Sequence, residues 1–110
     1  MINIAYTKKN NSFVLEFQGH ANYNPGNDIV CSAVSVLCYT LAGAVSNIPP
    51  ECVYTEKRLG SGCAYVKVNI KNKEIREKVN IIFETVLIGL LQLEESYPDH
   101  IFIKTVNYSD

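Results

Sequence analysis

Between residues 74 and 97 an apolar stripe runs through Ile75, Val79, Ile82, Val86, Leu90, Leu93 and Tyr97 in steps of three and four. Glu74, Arg76, Glu77, Lys78, Glu84, Gln92, Glu94 and Glu95 fall largely off it. That period belongs to a helix that buries one face, and Pro98 ends it. A one-sided helix needs an apolar layer beneath it. The rest of the chain supplies alternating segments suited to a sheet. Residues 2–8 place Ile2, Ile4 and Tyr6 on one side, and residues 13–18 do the same with Phe13, Leu15 and Phe17. Lys9-Asn10-Asn11 is a turn signal between them, which predicts a hairpin. Residues 52–58 and 63–70 predict a second hairpin around Arg58-Leu59-Gly60-Ser61-Gly62. In its second strand Ala64, Val66, Val68 and Ile70 share a face while Tyr65, Lys67 and Asn69 take the other, so one side of the sheet meets water. Residues 101–106 predict a last strand.

From Val30 the positions Val34, Leu37, Leu41 and Val45 recur at helical spacing. The opposite side, with Ala33, Val36, Ala42, Gly43 and Ala44, is also small or apolar. Such a helix is buried on most sides, against a sheet on one and against another helix or a second subunit on the other. Asn47-Ile48-Pro49-Pro50 stops it. The predicted order is ββαββαβ: an α+β fold with a mostly antiparallel sheet and two helices packed on it. Residues 1–110 form one domain, without linker, repeat or low-complexity tract.

Composition narrows the function. A net charge of −1 offers no basic field for nucleic acid. The longest apolar runs are too short or too interrupted to span a bilayer, and Met1 leads directly into a strand pattern rather than a secretory signal. The expected compartment is therefore the reducing cytoplasm, where Cys31, Cys38, Cys52 and Cys63 stay as thiols. Cys52 and Cys63 lie on strands expected to pair and to bring them face to face. No cysteine or histidine spacing matches a zinc module, and no cofactor is expected.

The chemistry concentrates in GHANYNPGNDIVCSAVS, residues 19–35. His20 ends the second strand, and Cys31 opens the first helix eleven residues later. Between them Ala21, Asn22, Tyr23, Asn24, Pro25, Gly26 and Asn27 form a turn-rich loop that can fold back over a cleft. A cysteine in the first helical turn faces unsatisfied N–H groups and the positive end of the helix dipole, which favour thiolate. An imidazolium favours it further. This is the combination a cysteine nucleophile requires, with His20 as base and then acid. Backbone N–H groups around Cys31 and Ser32 are candidates for holding an oxyanion. Asp28 has two open roles: capping the helix, or orienting His20.

The paired strings GHA and DIVCSAVS resemble the ribosomal-processing cysteine protease family of Firmicutes and relatives. Its members carry a Gly-His-Ala motif and, about a dozen residues later, Asp-Ile-Val-Cys-Ala-Ala-x-Ser. The resemblance covers the whole chain. It implies a small cytoplasmic cysteine endopeptidase that removes the N-terminal extension of large-subunit ribosomal protein twenty-seven during ribosome maturation. Phage use on capsid proteins has been proposed for related members. The resemblance also implies a homodimer, a nucleophile at Cys31, a base at His20, an acid at Asp28, and an apolar pocket for an aromatic residue before the cleaved bond. Ser32 stands where alanine is usual, and the loop between His20 and Cys31 is one residue shorter than in most members.

Other readings stand beside this one. The chain can be a non-catalytic ribosome-associated binding module of the same fold. His20, Asp28 and Cys31 can be read as three metal ligands with an open position. Lys71, Lys73, Arg76 and Lys78 form a modest basic patch, either a solvated helix start or a docking site for a ribosomal protein or RNA. His100 reads as a surface or loop residue. Cys38 reads as core, and Ser35, one turn past Cys31, as packing or site.

Overall fold

A computed structural model describes residues 1–108 of the chain. Its elements follow the order β1 (Ile2–Lys9), β2 (Ser12–Gln18), α1 (Ile29–Ser46), β3 (Val53–Gly60), β4 (Cys63–Ile70), α2 (Arg76–Ser96) and β5 (Ile101–Asn107). This is the ββαββαβ, α+β arrangement that the alternating and helical patterns predict. A single 3-10 turn, Lys73–Ile75, leads into α2. The five strands form one sheet in the order β3-β4-β2-β1-β5. Every pairing is antiparallel except β1 with β5, which is parallel. Tracing those directions makes β2 parallel to β3 and β4 parallel to β5. Each helix is therefore a crossover between parallel strands, the connection a hairpin turn cannot make.

Register explains which face is buried. Ile4 pairs with Phe17 and Tyr6 with Leu15, and across the next rung Phe17 pairs with Ala64 and Leu15 with Val66. These side chains point to one face, where the core of both helices covers them. Phe13, Leu15, Val66, Val68 and Phe83 are fully enclosed. Phe83 of α2 stacks on Phe13 at 5.5 Å between ring centres, keying α2 to the sheet. The other face carries Asn3, Glu16, Gln18, Lys104 and Phe102 and stays open.

α1 buries Val30, Val34, Cys38, Leu41, Ala42 and Val45. With 18 residues at a mean hydropathy of 1.9, it meets the length and composition of a membrane-crossing helix. That corrects the expectation that every apolar run is too short or too interrupted. In this fold one side of it packs on the sheet. The two helices also touch closely: a Cβ on Gly89 of α2 would lie 3.1 Å from the Leu37 Cδ2 of α1. The outer side of α1 is uncovered, with Val36 64% and Tyr39 59% exposed.

Two other expectations change. Cys63 pairs with Gly60, while Val53, next to Cys52, pairs with Ile70 at the far end of the same hairpin. Cys52 and Cys63 therefore do not face each other, because an antiparallel register puts the start of one strand beside the end of the other. All four cysteines are free. Within the basic patch, Arg76 is a structural group: its Nε donates to the Asn10 carbonyl, and its guanidinium lies over the Phe13 ring.

Candidate active site

β2 is followed by Gly19, whose φ of +97° is a conformation L side chains rarely adopt. A Cβ there would also collide with the Met1 carbonyl. The Gly19 N–H donates to the Gly62 carbonyl at 2.9 Å, fastening the end of β2 to the β3–β4 turn. His20, the next residue, is exposed and lies over that turn. A Cβ on Gly62 would stand 2.7 Å from its Nε2, so the imidazole occupies space that only glycine leaves open. Gly62 itself has φ +72°.

The chain then passes into the loop that the composition predicts. Ala21 is buried, at 1% exposure. Asn22 takes φ +55°, a left-handed conformation that asparagine tolerates better than most residues. Asn24 and Asn27 close a turn through a 3.0 Å backbone bond.

Asp28 is the hub of this region. One carboxylate oxygen accepts from the N–H groups of Val30 and Cys31, both at 3.0 Å, and so caps α1. The other accepts from the N–H groups of Tyr23 at 2.9 Å and Asn24 at 3.3 Å, tying the loop to the helix start. Desolvation pushes this carboxyl up. The amides of Cys31, Tyr23, Asn24 and Val30 outweigh it and hold the group below the ordinary carboxylate range. Both oxygens face backbone amides, and neither bonds to His20.

Cys31 is the third residue of α1 and half-buried. Its Sγ accepts from the Ala21 N–H at 3.2 Å. No hydrogen bond joins it to His20 among the described residues. The two side chains instead line one cleft of about 370 Å³, shared with Ile2, Phe17, Val34, Ser35, Leu59 and Ala64. The cleft runs from the start of α1 to the β3–β4 turn, with a wall of mixed polar and apolar character. Small-molecule and side-chain pockets begin at about this size.

The oxyanion donors expected at the helix start are already engaged. The Cys31 N–H is held by Asp28 Oδ1, and the Ser32 N–H by the Asp28 carbonyl at 3.1 Å. An aspartate cap absorbs the orphan donors of the first turn, which leaves neither aimed into the cleft. The Ala21 N–H is the amide that faces the sulfur. Both oxygens of Asp28, one of the three residues read as possible metal ligands, accept from backbone N–H groups. Among the described residues no group of three or more His, Cys, Asp or Glu side chains is arranged to hold an ion.

Two parts of the site were not anticipated. Ser61 and Gly62 lie in the cleft wall because β2 pairs with β4 with Gln18 opposite Cys63. That register is a long-range pairing which the local turn signal does not carry. His100, read as a surface or loop residue, lies in the turn before β5 but is half-buried, and its Nδ1 sits 2.8 Å from the Ala21 carbonyl.

The chain is similar in sequence and fold to known proteins. A family model described as cysteine protease Prp matches residues 1–102. The ribosomal processing cysteine protease Prp of Mycoplasma genitalium is 30% identical over 93 residues, covering 83% of this chain and 86% of that protein. The crystal structure of SMU.848 from Streptococcus mutans matches at a TM-score of 0.72 and 28% identity, over 98% of this chain and 96% of that one. The essential ribosomal processing protease Prp of S. aureus, solved with a covalently linked product peptide, matches at a TM-score of 0.78 and 20% identity. That match covers 96% of this chain and 99% of that one and concerns the fold.

Proposed function

The chain belongs to the Prp cysteine protease family, and from that membership we propose that it is a ribosomal processing endopeptidase with Cys31 as nucleophile and His20 as its proton partner. The observation that carries this reading is the position of Cys31. Its sulfur sits in the first turn of α1, beside an inward-facing amide, in a cleft that His20 also lines.

The substrate is the N-terminal extension of large-subunit ribosomal protein twenty-seven, as the family resemblance implies and as the relatives named for ribosomal processing support. An aromatic side chain before the cleaved bond fits against Ile2, Phe17, Val34 and Leu59. Cys31 Sγ attacks the scissile carbonyl carbon, forming a C–S bond while the π electrons move to oxygen. His20 takes the thiol proton. As the intermediate collapses, the C–N bond breaks and His20 gives the proton to the leaving amine. Water then attacks the thioester, His20 accepts its proton, and the acid product leaves as the thiol re-forms. The Ala21 N–H is the nearest donor for the developing oxyanion once the sulfur has become a thioether and accepts less strongly. His20 lies over Gly62. Its exposure leaves it free to turn toward Cys31 when a substrate fills the cleft.

The enzyme works in the cytoplasm, where its four free thiols remain reduced. It works as a homodimer, in keeping with the exposed Val36, Ile81, Ile88 and Leu91 on the outer helix surfaces. The test is hydrolysis of a peptide spanning the ribosomal protein's extension with an aromatic residue before the cleaved bond. Cys31→Ser abolishes turnover, and His20→Ala lowers it by roughly 10²–10⁴-fold. Undiminished cleavage in either folded variant would overturn the assignment.

A further inference from the structure

His100 touches neither the cleft nor Cys31, yet it is tied to the residue that does touch the sulfur. Its Nδ1 lies 2.8 Å from the Ala21 carbonyl. A carbonyl has no hydrogen to give, so Nδ1 carries the proton and donates. On its other side Ala21 points its N–H at Cys31 Sγ, 3.2 Å away, and its methyl is buried at 1% exposure. One residue is thus held by its carbonyl, its amide and its side chain.

The anchor is itself fixed. The His100 N–H donates to the Tyr97 carbonyl at 3.0 Å, and its carbonyl accepts from the Ile2 N–H at 2.9 Å, the first link between β1 and β5. Its ring also forms one side of an aromatic notch. Tyr23 of the loop stands edge-on to His100 at 5.3 Å and 81°, and edge-on to Tyr97 at 5.3 Å and 78°. The corner between α2 and β5 therefore grips the loop at two points, Ala21 and Tyr23, on either side of the left-handed Asn22.

We infer that His100 is a positioning residue of the proteolytic site. Its Nδ1–H holds the Ala21 carbonyl so that the Ala21 amide stays aimed at Cys31 Sγ. The inference rests on the reading of Cys31 as nucleophile. It adds a residue eighty positions from His20 in sequence, acting through the backbone of the motif rather than on the substrate. An amide held against sulfur stabilises the anionic form by a charge-assisted hydrogen bond, and a swinging amide loses that effect.

The experiment compares His100→Phe, which keeps a flat ring beside Tyr23 and removes the donor, with His100→Asn, whose amide nitrogen can replace Nδ1. The first readout is the pH profile of Cys31 alkylation by iodoacetamide in the full chain. The second is kcat and KM on the extension peptide. His100→Phe should move the alkylation profile to higher pH, slow labelling near neutrality by roughly tenfold, and lower kcat with little change in KM. His100→Asn should bring both back to within about twofold of the parent. A profile for folded His100→Phe that superimposes on the parent's overturns the inference, as does His100→Asn as impaired as His100→Phe. If His100→Phe does not fold, nitrogen NMR of the parent imidazole decides: a neutral ring protonated on Nε2 overturns it, and one protonated on Nδ1 sustains it. A parent that cleaves no peptide while its His100 variants still shift the alkylation profile retains the latch and loses the protease reading. A parent that cleaves, with an unchanged His100→Phe, loses the latch alone.

Discussion

The two helices begin in different ways. α1 starts on Asp28, whose two carboxylate oxygens serve four backbone amides, two in the helix and two in the loop before it. α2 is entered through a 3-10 turn capped by Asn72, whose Oδ1 accepts one bond, from the Glu74 N–H at 3.0 Å. No side chain caps the α-helical start at Ile75. Glu74 and Glu77 place negative charge in the first turns of this second start, which complements the helix dipole. α1 has no acidic residue within its first turn, where Cys31 sits. The second start only has to begin a helix. The first has to begin a helix, hold a loop and leave room for a reactive sulfur, and one aspartate performs the first two tasks from outside the helix.

That contrast can be broken by substitution. Asp28→Ala should have the largest effect. It frees the loop as well as the helix start, so peptide cleavage should fall roughly 100-fold, the scale of an ångström-sized misplacement. Its melting temperature should drop further than that of any cap change at α2. A differential melt and a turnover assay on one preparation check both. A fall in stability with unchanged turnover would mean that the loop tie is idle. The same carboxylate sets a pH dependence. Its folded pKa is depressed below the ordinary value of 3.8. Its stabilisation is therefore present above that value and lost as the pH falls through the lower, folded one. The melting-temperature gap between parent and Asp28→Ala should be steady from neutrality to about pH 5 and shrink below about pH 4.

Gly62→Ala ranks next. The φ of +72° costs an alanine about 1 kcal/mol, and its Cβ meets the tip of the His20 ring. The ring is exposed and can swing away, so stability should fall little more than that strain. Turnover should fall about tenfold because the base has moved. A pH–rate profile that keeps its shape at lower amplitude marks displacement of His20. Unchanged turnover would show that the resting place of the imidazole is irrelevant to catalysis. Asn72→Ala should have the smallest effect, about 1 kcal/mol of stability from a lost cap. Its turnover should stay within about twofold, since a substitution this far from the reacting groups moves none of them. A tenfold loss there would show that the two helix starts are coupled.

The fold was legible because its signals are local. The alternation in β1 and β2 and the stripe through Val79, Val86 and Leu90 name their own buried faces. The first and second hairpins carry their turns in Asn10-Asn11 and Ser61-Gly62. The candidate site was legible in part for the same reason: His20, Asp28 and Cys31 lie within one short stretch. Which amides remain for chemistry was not. The donors at Cys31 and Ser32 look available until Asp28 is seen to occupy the helix start. Nor does the sequence give the cleft wall at Ser61 and Gly62, or the grip of His100 on Ala21, because each depends on strands or corners that meet only after folding.

The amino-acid order alone determined the element types, the buried faces, the loop and the presence of a cysteine at a helix start, since each follows from the period and chemistry of neighbouring residues. Tertiary structure decided what surrounds that cysteine. The register of β2 on β4 brings Gly62 under His20, and the parallel pairing of β5 with β1 brings His100 behind Ala21. Pairings between distant segments are settled by how whole layers pack, a sum over the core that no short stretch contains.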